Sequence, residues 1–176
     1  IEKINQLTVI ANAIQDQAED KTPTRTLSIN DFALLGIRGI SSANLNDFLK
    51  AIKDNTPDAT DSVPELQNLL FNSLSVGFTA ISDDTGVSST DFVTSDNQLT
   101  FKGTSNAADG TAIRITLKRA NQPDITLDGR VTNGLWQVNS AVLLDGKYAV
   151  SAQLLDGSTP LPKLYAFSQI VEVDTT

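Results

Sequence analysis

Aspartate is the residue type in this chain best suited to chemistry. The 176 residues contain seventeen Asp but only four Glu, and they contain no Cys, His or Met. The chain therefore has no thiol nucleophile, no disulfide and no imidazole to act as a general base or zinc ligand. Its acidic side chains favour two roles, because Asp oxygens both cap turns and bind calcium.

Four aspartates have a spacing that predicts a calcium site. If the strands of the second half alternate in direction, Asp83, Asp84, Asp145 and Asp174 lie at one pole of the fold. Calcium takes six to eight oxygen ligands, so a site needs several carboxylates together with carbonyls or water. The neighbours Asp83 and Asp84 also repel each other unless a cation or solvent lies between them. The alternative is that these residues form ordinary turns and a frayed terminus.

Three Asp-Gly pairs, at 109–110, 128–129 and 156–157, are interpreted instead as hairpin turns without metal. Enzymatic motifs are missing: the sequence has no Gly-rich phosphate loop, no nucleophile elbow and no carboxylate pair in a catalytic pattern. The polar run at 88–90 is interpreted as a solvated loop. We therefore expect that the protein is not an enzyme.

Residues 1–75 have the periodicity of helices and predict a small all-α bundle. Apolar residues recur at spacings of three and four, first at Ile1, Ile4, Leu7, Ile10, Ala11 and Ile14. A loop from Asp20 to Thr26 follows. Further stripes are Phe32 and Leu35, then Leu45, Phe48, Leu49 and Ile52, and finally Val63, Leu66, Leu69, Leu70 and Leu74.

Capping signals set the limits of these helices. Ser28 with Asp31, and Ser62 with Glu65, have the three-residue spacing of a capping box. Either Asp61 or Ser62 is predicted to cap the last helix. Ser41 is predicted to cap the helix between the two capping boxes, and Gly36 is predicted to end the short helix after Ser28 in a left-handed conformation.

Residues 76–176 change to the alternation of strands. Seven short segments alternate apolar and polar residues and are bounded by Gly, Asp, Asn and Pro, which predicts an all-β immunoglobulin-like sandwich of seven strands. Trp136 is predicted to lie in its core, with Phe101, Ile115, Tyr148 and Val150. The junction between the modules is predicted to be short.

The net charge of −8 and the pI near 4.4 argue against nucleic acid and against anionic lipid as partners. No apolar run is long enough to insert into a membrane. The sequence begins at Ile1 without Met or a signal peptide, and we expect it to be a fragment or a processed product whose targeting signal lies elsewhere.

The second half resembles the bacterial immunoglobulin-like repeats of large Gram-negative adhesins of the RTX or biofilm type, which are secreted by type I systems. The stretches that carry the resemblance are ISDDTG at 81–86, DFVTSD at 91–96, LTFKGT at 99–104, GLWQV at 134–138, LDGKY at 144–148 and VEVDT at 171–175. The first half is similar to albumin-binding-module-like helical repeats, through LSINDFALLGI at 27–37, NL at 44–45 and DSVPEL at 61–66.

This resemblance implies an extracellular place in a tandem array that holds an adhesive tip away from a bacterial cell, with calcium at some module junctions. The first hypothesis is thus a monomeric structural spacer whose partners are neighbouring repeats of the same chain. The alternative is a binding module, in which the helical half recognises a host protein or the sandwich loops recognise a glycan.

Overall fold

The computed structural model describes residues 2–23 and 25–176, and the chain divides into two compact units between Leu74 and Ser75. The first unit is helical and the second is a β-sandwich, which confirms the predicted order of the two fold classes.

The helical unit is a small bundle. Within the described residues it contains four α-helices and one 3₁₀ turn: α1 (Glu2–Ala18), α2 (Ile29–Leu34), α3 (Leu45–Lys53), the turn Pro57–Ala59 and α4 (Val63–Ser73). Two of these helices begin with the predicted capping boxes. The Oγ of Ser28 accepts from the N–H of Asp31 at 3.4 Å, and the Asp31 carboxylate accepts from the N–H of Ser28 at 2.8 Å. Ser62 and Glu65 make the same exchange at 3.4 and 3.1 Å. Each exchange satisfies backbone donors that a helix start leaves free.

Gly36 follows α2 with φ of +86°, as predicted for a residue that ends a helix. The prediction for Ser41 is wrong, because α3 begins three residues later than a cap at Ser41 requires. Asn44 precedes α3 and is fully buried. Its side chain accepts from the Ser41 N–H at 2.9 Å and donates to the Gly39 carbonyl at 2.9 Å. Asn44 therefore fixes the loop before α3 through contacts that a simple cap spacing does not reveal.

Two aromatic rings lie at the centre of the helical core. Phe32 and Phe48 are fully buried, with ring centroids 4.8 Å apart and planes tilted by 56°. The buried aliphatic side chains of the helical core include Ile10, Ile14, Ile52, Leu66 and Leu70.

Several predicted core positions lie at the surface instead. Ile4 is 67% exposed and Val63 is 41% exposed, and Ala11 is exposed as well. Leu7, Leu35, Leu45, Leu49 and Leu69 are half-buried. The buried residues of α1 lie in its second half, at Ile10, Ala13, Ile14 and Ala18. Ile1 and Thr24, which the sequence interpretation assigns to the stripe and to the following loop, lie outside the described residues.

The β unit has eight strands in two sheets. The strands are β1 (Val76–Ile81), β2 (Val93–Thr94), β3 (Thr100–Ser105), β4 (Ala112–Lys118), β5 (Ile125–Arg130), β6 (Leu135–Asn139), β7 (Gly146–Asp156) and β8 (Thr159–Val173). One sheet has the order β1-β3-β6 and the other the order β2-β8-β7-β4-β5.

The predicted count of seven strands is wrong because of β2. This strand has two residues, too few for an alternating pattern, and it pairs in parallel with Glu172 and Val173 at the far end of the sequence. A pairing over that separation leaves no local signal.

The Asp-Gly pair at 128–129 is also not a turn, because both residues lie inside β5. Asp128 faces Arg114 on β4, with N–O distances of 2.7 and 2.9 Å. A side chain at Gly129 would come within 2.6 Å of Val138, so glycine lets β5 approach β6. The pair at 156–157 lies at the hairpin between β7 and β8, as predicted. The pair at 109–110 lies in a turn but not in a hairpin, because β3 and β4 belong to different sheets. Gly110 and Gly157 both have positive φ.

The core of the sandwich contains the five residues predicted for it, and all of them are buried: Phe101, Ile115, Trp136, Tyr148 and Val150. Besides being buried, the Trp136 ring is positioned by hydrogen bonds and by close packing. Its indole N–H donates to the carbonyls of Gly77 and Thr104, both at 3.1 Å. A side chain at Gly103 would lie 2.3 Å from the indole and 2.0 Å from the Gly77 carbonyl. The absence of a side chain at Gly103 thus makes room for the ring.

Candidate functional site

The two ends of the sandwich are built from different loops. At the end where β1 begins, Val76 pairs with Ser105, and the N–H of Ser105 donates to the Gly134 carbonyl. We call this end the proximal pole. At the other end, Val173 of β8 pairs with Gly146, and the N–H of Glu172 donates to the Phe92 carbonyl. We call it the distal pole, and the four aspartates predicted to bind calcium lie there.

Asp83 and Asp174 are linked through one buried residue. Thr94 is 1% exposed, and its Oγ1 donates to the Asp83 carbonyl at 2.5 Å. The Thr94 carbonyl accepts from the N–H of Asp174 at 2.9 Å. Asp83 has a φ of +49°, a left-handed conformation that Asp adopts more readily than most residues. The short strand β2 therefore joins the loop after β1 to the end of β8.

Asp84 has one satisfied and one unsatisfied carboxylate oxygen. Its Oδ2 accepts from the N–H of Phe92 at 3.1 Å. Its Oδ1 is buried and has no hydrogen-bond partner among residues 2–23 and 25–176. A buried carboxylate oxygen left without a donor is costly, and a cation is one group that would satisfy it.

Asp145 and Asp174 are both engaged by the last two residues. The hydroxyl of Thr175 donates to Asp145 Oδ1 at 2.9 Å. The hydroxyl and the N–H of Thr176 donate to Asp174 Oδ1 at 2.7 and 3.2 Å. These bonds from Thr176, the hydroxyl first, lower the pKa of the Asp174 carboxyl. The guanidinium of Arg119 donates to the Asp145 carbonyl at 2.6 Å.

The four aspartates thus share one pole without forming a cage. In the part of the chain that the structure describes, no group of three or more acidic side chains lies close enough to hold a metal ion. Asp84 offers a free oxygen, but the carboxylates of Asp145 and Asp174 already accept hydroxyl donors. The calcium site therefore stays a prediction.

A second site was not anticipated from the sequence. A groove of about 530 Å³ lies on the outer face of the three-stranded sheet and is lined by Thr79, Lys102, Gly103, Arg130, Thr132, Leu135, Trp136 and Gln137. The sequence shows Lys102 and Gln137 as polar residues of alternating strand segments. The β3–β6 register that sets them opposite each other is not visible in the sequence.

Comparison with known proteins gives one match. The family model described as bacterial Ig-like domain matches residues 73–160, half of the chain, from the end of α4 to the start of β8. No curated protein and no solved structure matches the chain. Across the described helices, none is long and apolar enough to cross a membrane.

Proposed function

The chain belongs to the bacterial Ig-like domain family, and from this premise we propose that it is a non-catalytic structural spacer in a repetitive bacterial cell-surface adhesin. In this proposal the protein works outside the cell as a monomeric segment, and its partners are neighbouring repeats of the same chain. The helical unit is a further block in that series.

The observation that carries the proposal is the path of the chain through the sandwich. The chain enters at the proximal pole through β1 and leaves at the distal pole through β8. Modules connected in this way add their lengths end to end. β7 has eleven residues, so at about 3.4 Å per residue the sheet is roughly 35 Å long.

The same path sets how the module would bear tension. A pull on the two ends loads β1 and β8 along their lengths, while the hydrogen bonds of their antiparallel ladders lie perpendicular to the strands. Such bonds are sheared together and not opened one by one. A spacer built this way resists extension without any ligand.

Single-molecule force spectroscopy of a tandem array of this chain tests the proposal. The sandwich unit has about 100 residues, which extend to at most about 3.6 Å each, so each sandwich that unfolds should lengthen the array by roughly 30 nm. A Trp136→Ala array should give the same step at a lower force. Smooth extension with no such steps would rule out the mechanical role.

Calcium belongs to the proposal as a ligand that stiffens the joint at the distal pole. The unpaired Oδ1 of Asp84 supports this role, and oxygens of a following module would complete the ligand set. Calcium should raise the melting temperature of a two-copy chain, with a stabilisation of about 2.7 kcal/mol at a hundredfold excess over Kd.

Asp84→Asn should abolish this response. Asp109→Asn is the matched control, because Asp109 lies in the β3–β4 loop at the proximal pole, where its Oδ1 accepts from the Asn133 N–H at 2.7 Å. If the unsubstituted two-copy chain melts at the same temperature with and without calcium, the aspartates are turn residues only.

A second candidate function is recognition of a host protein by the helical unit. It is favoured by four exposed apolar side chains on the helices: Ile4, Val9, Leu34 and Val63. Serum albumin is the first partner to test, by surface plasmon resonance against the full chain. Ile4→Gln and Val63→Gln should weaken binding at unchanged melting temperature. Absence of binding by the unsubstituted chain would remove albumin as a partner.

A further inference from the structure

The groove on the outer face of the three-stranded sheet has the size of a ligand site. Its volume of about 530 Å³ falls within the range of roughly 300–1,000 Å³ typical of small-molecule pockets. Lys102 and Gln137 lie opposite each other in the β3–β6 register. Thr79 comes from β1, Arg130 is the last residue of β5, and Thr132 follows it. Four segments of the chain thus contribute side chains to one concave surface.

The charge of the groove is opposite to that of the chain. Two cations line it and no acidic side chain does, although the net charge of the chain is −8. Among the described residues, Lys102 makes no ion pair or hydrogen bond through its ammonium group, and Arg130 pairs with no carboxylate but donates to the Gly110 carbonyl at 2.7 Å. Three other cations of the same unit pair with carboxylates, in Arg114–Asp128, Lys118–Asp124 and Lys147–Glu172.

Uncompensated positive charge gathered in one hollow favours an anionic ligand. A guanidinium and an ammonium suit a carboxylate, because charge-assisted hydrogen bonds are shorter and stronger than neutral ones. Arg130 keeps further N–H donors beyond the one given to Gly110, since a guanidinium has five.

The neutral part of the lining narrows the class of ligand. Thr79, Thr132 and Gln137 can exchange hydrogen bonds with hydroxyl groups, and Leu135, 58% exposed, offers an apolar surface beside them. A sugar ring presents this combination of hydroxyl edges and an apolar C–H face. An extended peptide would instead need main-chain partners at a sheet edge. The central strand β3 has none to offer, because its backbone is paired with β1 on one side and β6 on the other. The edge strands β1 and β6 also line the groove, so an acidic peptide is included in the test.

We infer that this groove binds a carboxylate-bearing saccharide. Lys102 and Arg130 hold the carboxylate, the two threonines and Gln137 contact ring hydroxyls, and Leu135 packs against the apolar face of the ring. The site differs from the sandwich loops expected to bind glycan, and it goes beyond the spacer role, because a spacer needs no ligand on its sheet face.

Trp136 provides a reporter for the test. It is the only tryptophan of the chain and it contributes to the lining of the groove, so its indole N–H gives a single NMR signal close to the bound sugar. The full chain is titrated with tri-galacturonate and, in parallel, with the neutral galactose trimer. We expect a saturable shift of the indole signal with the acidic trimer only.

Lys102→Gln and Arg130→Gln should each weaken binding of the acidic trimer about tenfold or more, as expected for loss of a hydrogen bond to a charged group. Lys118→Gln removes the same charge outside the groove and should leave the affinity unchanged. Melting temperatures of all variants establish that each is folded.

Four results would overturn the inference: no saturable shift with the acidic trimer, equal binding of the neutral trimer, affinity unchanged in both groove variants, or equal affinity for an aspartate tripeptide. The last result would mean that the groove accepts any acidic chain and has no preference for saccharide. None of these outcomes bears on the mechanical steps expected of the spacer, so the two proposals fail separately.

Discussion

Each of the two units is stabilised internally, and the contacts that do so span very different separations in sequence. In the helical unit, the starts of α2 and α4 depend on pairs three residues apart, Ser28 with Asp31 and Ser62 with Glu65. In the sandwich, neighbouring strands join residues far apart in sequence, as where Thr100 pairs with Asn139.

One contact in the sandwich is packed especially closely. Both units leave apolar side chains exposed, such as Ile4 among the helices and Leu144 in the sandwich. In the sandwich, Gly103 and Trp136 fit so closely that even one added carbon would meet backbone. Substitutions at this contact should therefore cost more stability than substitutions at a helix start.

The largest effect is expected from Trp136→Ala. It removes a buried ring that stacks near Phe78 and leaves the carbonyls of Gly77 and Thr104 without their indole donor. We expect a loss of about 3–5 kcal/mol in the unfolding free energy of the sandwich. Hydrogen exchange by mass spectrometry on the full chain reads each unit separately, and peptides from the helices should exchange at their original rate. A loss below about 1 kcal/mol would mean that the ring is not part of the core.

The same difference in sequence separation decides which features of the fold can be predicted from the sequence. Capping boxes were predictable because both partners lie within one turn. The burial of Trp136 was predictable because strand alternation marks a buried face. The short strand β2 and the groove around Lys102 and Arg130 depend on pairing between distant segments, which periodicity does not encode.

The aspartates show the same limit within one residue type. Asp-Gly is a strong turn signal, yet Asp128 and Gly129 lie within β5, because Asp128 pairs with Arg114 and Gly129 allows close approach to Val138. Similarly, the apolar stripe of α1 includes Ile4, which is exposed, as well as Ile10 and Ile14, which are buried.

The next effect in size is expected from Gly103→Ala. The added methyl group would lie 2.0 Å from the Gly77 carbonyl and 2.3 Å from the indole of Trp136, so either β1 or the ring must move. Overpacking of this kind lowers the unfolding free energy by about 1–3 kcal/mol. In urea unfolding, the midpoint of the sandwich should therefore fall. Gly110→Ala is the matched control, because a methyl group there meets nothing within 4 Å and only the positive φ opposes it. If Gly110→Ala lowers the stability of the sandwich more than Gly103→Ala does, close packing at Trp136 is not the reason that an added methyl group is costly.

A smaller effect is expected at a helix start. Ser62→Ala removes the hydroxyl that accepts from the Glu65 N–H and donates to its carboxylate at 2.7 Å. Loss of such a cap lowers the stability of the helix by about 1 kcal/mol. In hydrogen exchange, only peptides of the helical unit should exchange faster. Ser62→Thr should restore most of it, since threonine also caps helices. A cost equal to that of Trp136→Ala would contradict the expected difference between losing a helix cap and losing a buried ring.

The smallest effect concerns acid and the ion pair between β4 and β5. The guanidinium of Arg114, hydrogen-bonded to Asp128, lowers the pKa of that carboxyl below its usual value of 3.8. A carboxyl with a lower pKa in the folded state stabilises the fold at pH values above its unfolded pKa. That contribution is lost as the pH falls through the folded pKa, here below about pH 4. Both side chains are largely exposed, at 41% and 63%, so the contribution is at most about 1 kcal/mol. Urea unfolding of the full chain and of Asp128→Asn at pH 6 and pH 2.5 should show a stability difference at the higher pH that is smaller at the lower. A difference of the same size at both pH values would assign the effect of the substitution to packing and not to charge.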